Sequence, residues 1–348
     1  MKLSLICLLL LIVNAAQVLD TQILWKRKEP ELYGCYRIPA LLHLEDDILV
    51  AAIEARQGNC NDATQSDTMV KVSKDNGSTW SESIKIDFFS KVNGTDSTGE
   101  PALIYDKTIK KLFLITEFFH SDAHMNGNPV IDIRIAESTD YGYTWTLNQI
   151  IPDPGEHAPT GTLTSGIQLD SGRLIIGYRR GDRNSYAFMS DDHGIHWRLS
   201  TNSSGTGGSE CQVTKLRDGR LYQTSRGYYD VQGNPRLQSF SHDDGETWEQ
   251  FTSIPATIMP DPNCQGSVAT DKEGNLYISH ANHTSQRIDM TINQSKDSSL
   301  TWTDSLLVKK GFVAYSSLTA LDDGRIAILF EGGDKDSYEN IYFSRVKF

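Results

Sequence analysis

The octapeptide SKDNGSTW at 73–80 recurs as STDYGYTW (138–145), SDDHGIHW (190–197), SHDDGETW (241–248) and SKDSSLTW (295–302). The shared form is S-x-D-x-G-x-T-W, with successive starts 65, 52, 51 and 54 residues apart. Five of the six tryptophans of the chain close this motif, a concentration that chance does not give to so rare a residue. Ser and Asp side chains cap nearby backbone N–H groups, and Gly supplies a positive φ, so the motif reads as a turn. Its Trp is an apolar anchor packed under that turn. Two copies deviate, with His196 in place of Thr and Ser299 in place of Gly. A turn staple tolerates such changes; by itself it carries no chemistry.

A second repeat interleaves with the first. Six times a polar turn leads into an apolar, β-rich run: EDDILVAAIE (45–54), DKTIKKLFLITE (106–117), DSGRLIIGY (170–178), DGRLYQTS (218–225), DKEGNLYIS (271–279) and DDGRIAILF (322–330). Turn residues followed by β-branched and aromatic runs are strand signals. No helical periodicity of useful length follows residue 16. Six units of about 50 residues, each a small antiparallel sheet, make the pattern of an all-β, six-bladed β-propeller of four-stranded antiparallel sheets. The sixth unit runs out of chain after IYFSRV (341–346), so its missing outer strand is expected from TQILW (21–25), which would close the ring and remove open edges.

Composition narrows the class. With 348 residues, 38% hydrophobic and 22% charged, the chain is globular. A net charge of −12 and the lack of a basic run exclude a nucleic-acid partner. Lys2, the 11-residue apolar run 3–13 and the small residues Ala15 and Ala16 read as a signal peptide over 1–16. That run is too short to span a bilayer. The expectation is a single domain over 17–348, secreted or delivered to another lumen of the secretory pathway, without stable membrane insertion. Five N-x-S/T sequons, at Asn76, Asn93, Asn202, Asn282 and Asn293, lean the same way. Four cysteines follow the leader; nearness in the repeat scheme favours Cys35–Cys60 and Cys211–Cys264, with four unpaired thiols as the alternative. No Cys/His spacing resembles a zinc site, and neither metal nor cofactor is expected.

Tracing one blade puts the start of each first strand and each loop after a second strand on the face opposite the staples. Unusual polar residues fall there: Arg37, Arg56, Asp62, Glu117, Arg179, Arg180, Glu210, Arg226, Arg287, Tyr315 and Glu331. Singly, each is an ordinary loop charge. Together they describe a site for an anionic ligand with groups able to do acid–base work.

With YRIP at 36–39, the repeated Asp-boxes, and the spacings Glu210–Arg226, Arg287–Tyr315 and Tyr315–Glu331, the chain resembles the exo-α-sialidases over nearly all of its length after the leader. The resemblance implies removal of terminal α-linked sialic acid from glycoproteins, glycolipids and oligosaccharides, with retention through a tyrosyl-enzyme. It makes Tyr315 the nucleophile, Glu210 its base and Asp62 the general acid, with Asp67 as a nearby alternative to Asp62. Arg37, Arg226 and Arg287 become the clamp for the sialic acid carboxylate, Glu331 the support of Arg37, and Arg56 a contact to substrate hydroxyls. Glu117 and Arg180 are assigned to glycerol or N-acyl groups. A Cys35–Cys60 bridge would tie the loop of Asp62 to the strand of Arg37. The chemistry is coherent: a guanidinium fork matches a carboxylate, and a neutral phenol avoids the repulsion that a carboxylate nucleophile would meet at the carboxylate-bearing anomeric carbon. Other readings are a propeller that binds sialylated glycans without cleaving them, a trans-sialidase, and an enzyme for deaminated sialic acid.

Overall fold

The computed structural model describes residues 15–27, 32–62, 64–86, 96–120, 132–152, 164–179, 184–227 and 235–348. The signal-peptide run, Arg180 and Asn93 lie outside them. The described residues contain strands and turns and no α-helix. After β1 (Gln17–Lys26), the chain forms a sheet from β2 (Tyr33–His43), β3 (Leu49–Gln57), β4 (Ser66–Ser73) and β5 (Ile84–Lys85). A second sheet holds β6 (Asp96–Asp106), β7 (Lys111–His120), β8 (Asp132–Ser138) and β9 (Thr146–Pro152), with β10 (Thr164–Ser165) parallel to β6. The third is β11 (Ile167–Gln168), β12 (Leu174–Arg179), β13 (Ser185–Ser190) and β14 (Arg198–Leu199). The fourth is β15 (Gly208–Lys215), β16 (Leu221–Gly227), β17 (Leu237–Ser241) and β18 (Thr252–Ser253). The last runs through β19 (Ser267–Thr270), β20 (Leu276–Ala281), β21 (Ile288–Ser295), β22 (Asp304–Ala320), β23 (Ile326–Gly332) and β24 (Asn340–Lys347), and ends on β1.

The arrangement is a propeller, with a count that differs from the six separate sheets expected. Four sheets of four or five strands stand as blades, and the remaining seven strands form one sheet. The cause is β22, a strand of 17 residues. Its first part pairs with β21, up to Phe312 opposite Ile288, and its second with β23, from Val313 opposite Gly332. One uninterrupted strand therefore joins what the sequence pattern separates. The N-terminal strand does close the last sheet: Thr21 pairs with Ser344 and Trp25 with Ile341.

The octapeptides fold as turns, by a repeated set of bonds. In the first, Gly77 N donates to Ser73 Oγ at 2.8 Å, and Thr79 N and Oγ1 donate to the two Asp75 carboxylate oxygens at 2.8 and 2.6 Å. In the third copy His196 replaces the Thr hydroxyl, its Nδ1 lying 2.6 Å from Asp192 Oδ2. The Trp does more than sit beneath its own turn. Trp80 meets Phe343 of β24 edge-on at 5.2 Å, and Trp197 meets Phe113 of β7 at 6.2 Å. Trp145, Trp248 and Trp302 likewise pack in apolar clusters shared with the preceding sheet. The staple thus fastens each blade to its neighbour, and the core is a set of interlayer clusters around the ring.

Ser299 keeps the positive φ (72°) of the Gly it replaces, and it is buried. A non-Gly residue there costs about 1–2 kcal/mol, offset in part by the greater unfolded-state entropy of Gly. Ser299→Gly is therefore expected to stabilise the protein by about 1 kcal/mol; an unchanged or lowered melting temperature would show that the serine is unstrained.

Candidate active site

Four of the strands that deliver site residues carry a register shift there. The shifts lie between Arg37 and Ala40 on β2, Gly99 and Ala102 on β6, Gly208 and Cys211 on β15, and Val313 and Ser316 on β22. A bulge breaks the two-residue alternation and re-aims a side chain. On β2 it is extreme, because Ile38 takes φ 56° just before a proline. A β-branched residue in that region is a backbone outlier that surrounding contacts must hold. Glu331 does so. Its Oε1 accepts from Ile38 N at 2.8 Å and from Arg37 Nε at 2.7 Å, and its Oε2 accepts from Tyr315 N at 3.1 Å. Fully buried, Glu331 supports the arginine, the strained turn and the strand of the tyrosine at once.

The structure brings seven of the other named residues around this support. The Tyr315 hydroxyl donates to Glu210 Oε1. Arg226 NH1 donates to Glu210 Oε2 at 2.8 Å and to the Tyr315 oxygen at 2.9 Å. The guanidinium carbons of Arg37 and Arg287 lie 5.3 and 5.4 Å from the centre of the Tyr315 ring. Arg56 NH1 donates to Asp62 Oδ1 at 2.6 Å, and that oxygen is 3.6 Å from Arg37 NH1. Asp62 stays largely exposed (73% of its side chain). Asp67, the alternative acid, is buried beneath, where it accepts from the Tyr33 hydroxyl at 2.7 Å. Cys35 and Cys60 are bonded, fixing the Asp62 loop to β2.

The expected Cys211–Cys264 bond is absent, and both thiols are free and buried. Cys211 lies on β15 against Gly177 of the preceding sheet, where a Cβ on Gly177 would come within 3.1 Å of the sulfur. Cys264 instead lies beside Arg226 and Arg287. The two side chains face different neighbours, so closeness in the repeat scheme did not bring them together. Burial pushes their thiols up to about 12 and about 11.

Electrostatics set the protonation states. Burial by itself would raise the Glu210 carboxyl, but Arg226, Arg179 and the Tyr315 hydrogen bond hold it below its ordinary value. Burial and the charge of Glu210 push the Tyr315 phenol well above its ordinary value, against the pull of Arg226 and Arg287. At neutral pH the pair is thus a carboxylate receiving a hydrogen bond from a neutral phenol.

Sequence reading missed three residues here. Tyr338 stacks under Arg37 (4.1 Å to the ring centre) and accepts from Arg287 NH1 at 3.0 Å. Asn263 accepts from Arg226 Nε through its side chain and from Arg287 NH2, at 3.3 Å, through its backbone oxygen. Glu100 sits on the β6 bulge with φ 51°, and its carboxyl is raised well above its ordinary value by burial and by Glu117, Glu210 and Glu54. A signal for Glu100 did exist: GEPALI (99–104) repeats the RIPALL (37–42) of the first bulge.

Glu117 is buried, and burial first, with Glu54 adding and Arg179 opposing, pushes its carboxyl up to about 8. A raised carboxyl binds its proton in the fold at pH values where the unfolded chain has lost it. Its contribution is complete below the unfolded value near 4.5 and is lost as pH climbs to about 8. Glu117→Gln removes that loss, so the melting temperature of the variant relative to wild type should rise between pH 5 and pH 8. A pH-independent difference would contradict the assignment.

A cavity of about 570 Å³ opens elsewhere, lined by His43, Gln168, Lys215, Thr270 and Asp322 among others and by none of the residues above. Lys215 there is paired with Asp170, and Lys272 donates to the Asp322 carbonyl. Among the described residues no His/Cys/Asp/Glu cluster is arranged to hold a metal ion, and no helix is long and apolar enough to cross a membrane.

An Asp-box propeller with an arginine-rich, carboxylate- and tyrosine-bearing site is a recognisable class. The chain belongs to the BNR repeat-like domain family, which matches residues 46–328, and its resemblance to the exo-α-sialidases holds. It is 28% identical over 337 residues to a sialidase of Micromonospora viridifaciens, covering 88% of this chain and 51% of that protein. It is 25% identical over 348 residues to a sialidase of Bacteroides fragilis, covering 90% and 62%. The chain therefore spans half to three fifths of the length of these two relatives. Among solved structures, the Hadza microbial sialidase Hz136 superposes with a TM-score of 0.79 at 25% identity, over 91% of this chain and 66% of that one. The intramolecular trans-sialidase from Ruminococcus gnavus shares the fold, with a TM-score of 0.76 at 19% identity over 93% and 96%.

Proposed function

We propose that the protein is an exo-α-sialidase that hydrolyses terminal α-linked sialic acid from glycoproteins, glycolipids and oligosaccharides with retention of configuration. The observation that carries this reading is the Tyr315 hydroxyl held between Glu210 and Arg226, with Arg37 and Arg287 flanking its ring.

In this reading Arg37, Arg226 and Arg287 clamp the carboxylate of the sugar. Asp62, exposed at the mouth, gives its proton to the glycosidic oxygen as the bond to the anomeric carbon breaks. The Tyr315 oxygen bonds to that carbon while its proton passes to Glu210. Water then attacks the same carbon, Asp62 takes the proton of the water, and Glu210 returns its own to the departing phenol. Two inversions give overall retention. Arg56 orients Asp62 and contacts substrate hydroxyls. The steps use side chains alone.

Two structural readings go with it. The seven-stranded sheet is two blades sharing β22, which makes six in all. Residues 1–16 are a cleaved leader, 17–348 form the catalytic domain, and the protein works outside the cell or in a lumen of the secretory pathway.

The test is fluorophore release from an α-ketosidic sialoside. Wild type should be active and Asp62→Ala slower by about 10²–10⁴-fold. A folded but inactive wild type would favour a glycan-binding propeller. Activity equal in both would remove Asp62 from the mechanism. Appearance of an anhydro sugar, or of sialic acid moved to an added acceptor, would favour the trans-sialidase reading.

A further inference from the structure

Four of the five N-x-S/T sequons fall on described residues, and the fold treats them differently. Asn76 is buried in the first octapeptide turn at φ 53°, and its Nδ2 donates to Asp47 Oδ1. Asn293 is buried in the middle of β21, its side-chain oxygen 3.1 Å from His280 Nε2. Asn202 lies at the surface, but its amide is spent on Trp248: Oδ1 accepts from the backbone N at 2.7 Å and Nδ2 donates to the backbone O at 3.1 Å. Asn282 alone of the four is exposed with a side chain that bonds nothing.

Asn282 opens the turn between β20 and β21. Its backbone N donates to Asp289 O at 3.0 Å, and the next residue, His283, accepts from Ser285 N and Gln286 N through Nδ1 at 3.1 and 3.0 Å. The turn is thus ordered by bonds that leave the Asn282 amide and the Thr284 hydroxyl facing water. Arg287 ends the same turn and points into the site, with its backbone O accepting from Val313 N at 3.0 Å. A glycan is bulky and strongly hydrated, so a folded chain can carry one only where the amide faces solvent.

We propose that Asn282 is an N-glycosylation site and that its glycan stands at the rim of the active site beside Arg287, while Asn76 and Asn293 stay unmodified in the folded protein. This rests on the secretory reading above. The full chain, with its own N-terminus, is produced in animal cells, and glycopeptides are converted by peptide-N-glycosidase in heavy-oxygen water. The isotope tag should appear at residue 282 and not at 76 or 293. Secreted protein without the tag at 282, or with it at 76 or 293, overturns the assignment. Protein retained in the cytosol overturns it by a different route, through failure of the secretory reading itself.

A separate observation concerns Asn263. This residue, at φ 60°, links two of the three arginines, as described above. The loop that carries it is pinned by a fully buried ion pair. Arg236 Nε donates to Asp261 Oδ2 at 2.8 Å, Arg236 NH2 donates to Cys264 O at 2.6 Å, and Cys264 N donates to Asp261 Oδ1 at 2.9 Å. Gly266 makes room, since a Cβ there would stand 2.8 Å from Arg236 NH2. Burying such a pair is costly, and here it fixes a residue that bonds both Arg226 and Arg287.

The geometry points to Asn263 as a positioning residue for the carboxylate clamp. Asn263→Gly keeps the left-handed turn and the backbone oxygen but drops the acceptor for Arg226. Inhibition by 2,3-dehydro sialic acid should weaken about tenfold, the effect of one charge-assisted hydrogen bond. Inhibition by the methyl ester of the same compound should hold, as should the melting temperature. Equal loss for acid and ester, or no loss for either, overturns the role.

Discussion

Tyr315→Phe is expected to lower turnover of a sialoside about 10³-fold or more while sialic acid analogues still bind. The phenylalanine keeps the ring on which Arg37 and Arg287 lie, and it removes only the oxygen that Glu210 and Arg226 hold. Loss of a nucleophile costs orders of magnitude in kcat with little change in ground-state contacts. The same substitution leaves Glu210 buried with Arg226 at 2.8 Å and under the charge of Arg179, still a compensated carboxylate, so the fold should survive. Steady-state kinetics with binding of 2,3-dehydro sialic acid measured in parallel decides the matter. Turnover within a few-fold of wild type would exclude Tyr315 from bond making.

Arg37→Ala should act on binding and on stability together. Its guanidinium belongs to the proposed carboxylate clamp, and its Nε is the charged partner of Glu331. Removing it strands a fully buried carboxylate, which costs about 3–5 kcal/mol where one partner of a buried pair is deleted. Affinity for sialic acid should also fall far more than affinity for a neutral sugar. The two effects separate in a double variant. Arg37→Ala with Glu331→Gln removes the stranded charge, so part of the lost stability should return, while binding of sialic acid should not. Equal recovery of both would mean that Arg37 serves only the fold. Loss of neutral-sugar binding in step with sialic acid binding would say the same.

The repeats were legible because they are local. An octapeptide that bonds its own backbone and ends in Trp needs no tertiary context, and TQILW was placed correctly because a ring with an open edge lacks a strand. The blade count read differently because β22 does not break where the pattern implies a boundary: Gly311 takes a positive φ, yet the strand continues to Ala320. The residues that carry a spacing signal, such as Arg37, Glu210 and Tyr315, do lie together in the fold. Asn263 and Tyr338 were not, because their roles depend on which arginine passes beside them. Alternation does not reveal the bulges that aim Arg37 and Glu100; only the paired x-Pro-Ala-Leu segments hint at them. The Cys211–Cys264 error has the same root. Closeness along the repeat says nothing about which way a Cβ points.

The most direct test follows the anomeric configuration of the first sialic acid released by the wild-type protein from an α-sialoside, read by proton NMR within the first turnovers. The proposed mechanism predicts that the α-anomer appears first and then mutarotates to β, since in it Tyr315 and water each invert the same carbon. Initial formation of the β-anomer would mean direct displacement by water and would contradict a tyrosyl intermediate at this site.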